Sequence, residues 1–301
     1  MDAQVEMRAR LTQGRGFLAA LDQSGGSTPS ALREYGVPGD AYSSDAEMFQ
    51  LIHAMRVRII TAPAFKGDRI LGAILFVGTM DGLVEGVPTP TYLWEQRGVT
   101  PLVKVDQGLA DEASGVQMMK PMPDLSSTLR RARALGVFGT KARSVIHRAN
   151  RDGIAALVEQ QFQLAEHIAR EGLTPIVEPE VLIDSPDKAE AESMLRDALL
   201  RRLDRLGTKV QVIVKLTLPE TPDLYAPVAA HDRVDRVVAL SGGYSRDEAC
   251  ARLARNHDMI ASFSRALIDD LRQDMSDATF NDTLDRAIRQ IYAASTRKRA
   301  A

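Results

Sequence analysis

Eight short apolar runs recur along the 301 residues, and stretches of helical periodicity separate them. The runs are Gly16–Leu21, Ile70–Phe76, Thr100–Val105, Val137–Arg143, Leu173–Glu180, Val210–Thr217, Val234–Leu240 and Met259–Arg265. They are rich in Val, Ile and Leu and too short for helices, so they read as buried strands. Strands joined by helical crossovers must run parallel, which restricts the chain to an α/β fold. Helix signals stand between the strands. Thr28-Pro29 reads as a cap with proline at the first helical position. Ser44 and Glu47 form a capping box ahead of a stripe at Met48, Leu51, Ile52, Met55 and Ile59. Amphipathic stretches at 154–170, 187–206 and 277–296, and the Ser245/Glu248 cap, predict four more helices. The end, Arg297 to Ala301, reads as frayed.

Eight such units predict a (β/α)8 TIM barrel spanning 1–301 as a single domain, with no internal repeat or flexible linker. A doubly wound open sheet is the competitor. No G-x-G-x-x-G follows the first strand, which weakens its dinucleotide-binding version.

Composition excludes other classes. A net charge of −2 implies no nucleic-acid-binding face. One cysteine, Cys250, rules out an internal disulfide and a cysteine-based zinc site, and suits a cytoplasmic setting. Neither a signal peptide at Met1-Asp2-Ala3-Gln4 nor an apolar stretch of membrane-spanning length is expected. The five histidines are scattered without ligand spacing, so no metal is expected.

The functional signal lies where the apolar runs turn polar. Seven of them end in Asp22, Lys104 with Asp106, Lys141 with Arg143, Glu178 with Glu180, Lys215, Ser241 and Arg265. The pairs are two residues apart, so each pair faces one side of its strand. In a barrel, catalytic groups come from these strand ends. Lys215 is the lone lysine of the Val210–Thr217 run, five of whose residues are apolar. Read alone, it is either a snorkelling or ion-paired lysine, or an amine kept neutral by desolvation and a cation such as Lys141, hence a nucleophile toward a carbonyl carbon. Glu178 and Glu180 can carry protons, and Asp22 can orient lysine or substrate. The Ser241-Gly242-Gly243 loop offers backbone N–H groups to a phosphate, with Arg265 nearby. Ser24 to Ser27 is a second anion cradle within reach of Lys104.

These residues resemble class I fructose-bisphosphate aldolase in its shorter bacterial branch, from about Gly14 to about Ala294. The resemblance rests on Ala19-Ala20-Leu21-Asp22-Gln23-Ser24-Gly25-Gly26-Ser27, Lys104-Val105-Asp106, Lys141-Ala142-Arg143, Pro175-Ile176-Val177-Glu178-Pro179-Glu180, Lys215, Leu240-Ser241-Gly242-Gly243 and Ser262-Phe263-Ser264-Arg265-Ala266-Leu267. It implies reversible cleavage of fructose 1,6-bisphosphate, in glycolysis and gluconeogenesis, with no cofactor. Lys215 would form the Schiff base and Glu178 would accept the proton, assisted by Asp22, Lys141 and Glu180. Ser241, Gly242 and Arg265 would hold the C1 phosphate; Ser24, Ser27 and Lys104 the C6 phosphate. Arg143 and Gly243 join the substrate-binding set. The partner is a phosphorylated sugar, and a homo-oligomer stays open. Animal members carry a tyrosine-ended tail, whereas this chain stops after Arg299-Ala300-Ala301; Ser30 stands where they have a basic residue, and the glycine they use toward phosphate is missing before Arg265.

Two rivals stay open: another Schiff-base lyase or transferase on the same barrel, and a non-enzymatic scaffold. Cys250, Trp94, Met118 and Met119 read as packing, and Arg201-Arg202-Leu203-Asp204-Arg205 as a solvated helix face.

Overall fold

The computed structural model describes residues 3–299. Its strands are β1 (Phe17–Leu21), β2 (Ile70–Leu75), β3 (Thr100–Lys104), β4 (Gly139–Ile146), β5 (Thr174–Val181), β6 (Val212–Thr217), β7 (Val234–Leu240) and β8 (Met259–Phe263). Each pairs in parallel with its neighbours, and β8 pairs with β1. The pairing of β3 with β4 completes the ring, so the sheet is a closed eight-stranded barrel. A short strand, Val116–Gln117, adds antiparallel to the outer end of β4.

The helices are α1 (Ala3–Gln13), α2 (Thr28–Tyr35), α3 (Asp45–Thr61), α4 (Val77–Met80), α5 (Thr89–Arg97), α6 (Leu125–Ala134), α7 (Arg151–Arg170), α8 (Lys188–Leu203), α9 (Ala226–Ala229), α10 (Arg246–Ala254), α11 (Arg265–Ile268) and α12 (Asp277–Thr296). Their apolar stripes cover the outer face of the sheet and form the larger core.

The interior is filled by the alternation of strand side chains. Leu18, Ile74, Leu102, Ile176, Ile213, Val238 and Ile260 form its floor. Two residues on, the same faces carry Lys104 after Leu102, Glu178 after Ile176, Lys215 after Ile213 and Ser262 after Ile260. One sheet face is therefore apolar at the bottom and ionisable at the top.

Sequence reading missed α1. It carries only two buried apolar residues, Met7 and Leu11, on an otherwise exposed or part-exposed helix. Those two, one turn apart, plug the bottom of the barrel against the floor residues. Arg236 grips the C-terminal end of α1 by donating to the carbonyls of Leu11, Thr12 and Gly14. Leu11→Ala is expected to lower unfolding stability by roughly 2–5 kcal/mol in chemical denaturation, because it empties a fully buried site.

Other differences are local. The cap of α2 is Ser27, with Thr28 already helical and making no side-chain cap bond. Ser44 accepts from Glu47 N–H as expected, but the Glu47 carboxylate turns to Ser43. β8 stops at Phe263, so Arg265 opens α11 instead of ending the strand. Arg202 is no solvated residue: it pairs with Glu159 and Glu166 and lies over Phe162. Lys298 donates to the carbonyls of Leu253, Met259 and Ala294, which pins an end expected to fray. Ala300 and Ala301, the last of that expected segment, lie outside the described residues, as do Met1 and Asp2.

Candidate active site

The ionisable strand ends meet in one cavity of about 710 Å³ at the C-terminal mouth of the barrel. Its centre is an alternating row of charges. Lys215 Nζ lies 2.9 Å from Glu178 Oε1, Lys141 Nζ 2.9 Å from Glu178 Oε2, and Lys141 Nζ 2.7 Å from Asp22 Oδ2. All four residues are buried. β6, β5, β4 and β1 therefore each supply one member of a Lys–Glu–Lys–Asp chain. Sequence reading placed Lys141 against Lys215 as a neighbouring cation; instead, a carboxylate stands between the two amines. The pairing follows from register: Ile176 on β5 is level with both Lys141 and Ile213, so side chains one step further converge.

Burial raises the pKa of the Asp22 carboxyl, but the Lys141 ammonium, then Lys215 and Lys104, outweigh it and hold it at about 2. Glu178 is lowered for the same reason, burial opposing and Lys141 and Lys215 prevailing. Burial would neutralise Lys141, yet Asp22 and Glu178 raise its pKa well above the ordinary amine value. Both carboxylates are thus anions near neutral pH, and Lys141 is a locked cation.

Around this row stand two further pairs. Arg143 Nε donates to Glu180. Lys104 Nζ lies 2.6 Å from Asp106 Oδ1. Asp106 also accepts from the Arg143 backbone N–H at 3.1 Å, tying β3 to β4.

Two loops flank the row. After β7, Ser241 and Gly242 line the cavity. Gly242 has φ +64°, and a Cβ there would meet Ile183 Cγ2 at 2.6 Å, so the turn demands glycine. Gly243 is not among the residues that line the cavity, although a Cβ added there would lie 3.5 Å from Arg265 Nη2. After β1, Ser24 and Ser27 close a small turn, with the Ser24 N–H donating to Ser27 Oγ at 3.0 Å. Every other site residue expected from sequence lines the cavity: Asp22, Ser24, Ser27, Lys104, Lys141, Arg143, Glu178, Glu180, Lys215, Ser241, Gly242 and Arg265.

Sequence reading missed what holds these loops. Arg56, wholly buried on α3, donates to Thr79 Oγ1 at 2.8 Å and to the Gln23 carbonyl. Burial lowers its guanidinium to about 10, partly offset by Asp22. Gln23 Nε2 in turn donates to Ser264 Oγ at 2.6 Å, beside Arg265. One arginine thereby links the loops after β1 and β8. The available signal was its place on the apolar stripe between Ile52 and Ile59. The Phe49 and Phe76 rings, stacked 5.7 Å apart, form an apolar rim to the cavity that was also missed.

Among the described residues, no three His, Cys, Asp or Glu are arranged to hold a metal ion. None of their helices is long and apolar enough to cross a membrane.

The family model described as "Glycolytic: Fructose-bisphosphate aldolase class-I" matches residues 5–218. The chain is 53% identical over 290 residues to the Synechocystis protein named fructose-bisphosphate aldolase class 1, covering 96% of this chain and 97% of the relative. It is 51% identical over 290 residues to the protein of the same name from Porphyromonas gingivalis, covering 96% and 98%. Among solved structures, the fructose-bisphosphate aldolase of Plasmodium falciparum superposes with a TM-score of 0.80 at 19% identity, over 100% of this chain and 96% of that one. An archaeal fructose 1,6-bisphosphate aldolase gives 0.57 at 13%, over 96% and 99%. With the family model spanning most of the chain and the relatives nearly all of it, the chain belongs to the class I fructose-bisphosphate aldolase family.

Proposed function

We propose that the whole chain acts as one domain that cleaves fructose 1,6-bisphosphate to dihydroxyacetone phosphate and glyceraldehyde 3-phosphate, reversibly, through a Schiff base on Lys215. The observation that carries this reading is the Lys215–Glu178–Lys141–Asp22 row. Lys141 is clamped by two carboxylates and stays an ammonium. Lys215 has one carboxylate partner, so it is the amine that can pass its proton along a 2.9 Å contact to Glu178. The freed amine attacks C2 of the ketose. One N–H proton of the adduct passes to the C2 oxygen, Glu178 returns the proton it took to the resulting carbinolamine hydroxyl, water leaves, and an iminium remains. The iminium accepts the electrons of the C3–C4 bond as the C4 hydroxyl gives its proton to a carboxylate of the row. Glyceraldehyde 3-phosphate departs, and the enamine is protonated and hydrolysed. Glu180, held by Arg143, backs Glu178 on the same strand face.

The reading fits a cytoplasmic setting, which the buried free thiol of Cys250 suits. The test is borohydride reduction in the presence of dihydroxyacetone phosphate, followed by peptide mass mapping. One adduct on Lys215 is expected. An adduct on Lys104 or Lys141, with Lys215 unmodified, refutes the assignment.

The two loops give a second check. The Ser241 loop and Arg265 flank Lys215 on the C1 side, whereas Ser24, Ser27 and Lys104 face the C6 end. Losing one charge-assisted hydrogen bond costs roughly 1.5–3 kcal/mol, about ten- to a hundredfold in kcat/KM. Arg265→Ala is therefore expected to reduce kcat/KM on fructose 1,6-bisphosphate and fructose 1-phosphate alike. Lys104→Met is expected to reduce only the bisphosphate reaction. Because Lys104 also pairs with Asp106, the opposing result is an equal loss on both sugars with a fall in Tm, read by steady-state kinetics and thermal unfolding.

A further inference from the structure

Among the described residues, buried side-chain atoms without a hydrogen-bond partner include five hydroxyls: Thr28, Thr100, Thr140, Tyr225 and Ser262. Only Ser262 lines the active-site cavity. It is 1% exposed. The strand alternation fixes its direction. Ile260, two residues earlier, belongs to the barrel floor, and Ser264, two residues later, bonds Gln23 above it. Ser262 thus projects inward two residues beyond the floor residue Ile260 and in register with Leu18 of β1, the strand that Asp22 follows.

A buried hydroxyl with no partner lowers stability, and alanine would fill the same strand position without that cost. Here the residue lines the same cavity as Lys215, Glu178 and Asp22. Building on the Schiff-base reading above, we propose that Ser262 is a further catalytic residue, whose Oγ–H donates a hydrogen bond to the oxygen on C2 of a ketose phosphate as the Lys215 carbinolamine forms. Ser262 keeps its proton throughout. It stabilises the developing oxygen charge while Glu178 carries the proton that makes water the leaving group. A donor held in place by a strand is most effective there, because it needs no reorganisation when charge appears.

The test uses Ser262→Ala and Ser262→Thr in the full chain. For Ser262→Ala the expected result is a kcat about 10- to 100-fold lower, near the range for loss of one preorganised donor. KM should change by less than about threefold, because the interaction belongs to the step after binding. The Tm should hold or rise, since an unpartnered polar atom has been removed. Rapid-quench borohydride trapping should show the Lys215 adduct forming more slowly than in the parent. Ser262→Thr, which retains the hydroxyl, should recover most of kcat. A structural role predicts the opposite pairing, a lower Tm with unchanged trapping kinetics. The proposal is overturned if Ser262→Ala turns over within threefold of the parent, or if its lost activity tracks a fall in Tm. The outcomes separate from the function itself: a parent that neither cleaves fructose 1,6-bisphosphate nor traps on Lys215 removes both readings, whereas an active parent with an indifferent Ser262→Ala removes only this one.

Discussion

Lys215→Met is expected to leave a folded protein that no longer turns over fructose 1,6-bisphosphate. Methionine matches the length of the lysine stem and tolerates a buried position. Glu178 loses one ion pair but keeps the other, to Lys141, so no carboxylate is stranded in the interior. Stability should therefore change little, while kcat falls on the order of 10⁴- to 10⁶-fold, as when a nucleophile is deleted from an otherwise intact site. Far-UV circular dichroism with a coupled assay for triose phosphate decides. A Lys215→Met protein with a tenth of the parent rate, or one that still yields a reduced adduct, would show that another amine carries the covalent step.

The second largest effect belongs to Glu178. Glu178→Gln keeps shape but cannot carry a proton between Lys215 and the C2 oxygen. Turnover should drop by about 10²–10⁴-fold, with dihydroxyacetone phosphate binding preserved. Because Glu178 and Asp22 are held below the ordinary carboxylate range, they stay ionised when the pH drops into the range where free carboxylates titrate. The sign is that of a depressed acid: the stability they contribute is present above the unfolded carboxylate value and is lost as pH falls through the folded one, about 2 for Asp22. If Glu178→Gln stays within a few-fold of the parent, the proton carrier is Glu180 or Asp22.

Much of this was legible before any coordinates. Short Val- and Ile-rich runs such as Val212–Val214 read as buried strands, and the two-residue alternation of a strand already says that Glu178 and Glu180 share a face. What sequence withheld was contact across strands. Lys141 and Lys215 both read as barrel-mouth amines, and nothing in their local sequence says that Glu178 bridges them; that depends on the stagger of three strands. Arg56 was hidden for another reason. A charged residue on an apolar helical stripe looks like a flaw in the pattern until its acceptors, Thr79 and the Gln23 carbonyl, are brought beside it by the fold. The helix Ala3–Gln13 escaped because its burial surface is only two side chains wide, too little to register as periodicity.

The alternating row has an effect on the energetics of covalent catalysis. Two ammonium groups face two carboxylates, so the buried set sums to zero before any ligand arrives. On the proposed reading the Lys215 amine becomes an iminium, and a positive charge then stands where the ammonium stood. The protein therefore meets the high-energy intermediate with counter-charges already in place, and no new ion has to be stripped of water. An isolated buried cation would face a desolvation penalty of several kcal/mol. Here that penalty is incurred when the chain folds, and each turnover exchanges one monocation for another inside a fixed electrostatic mould.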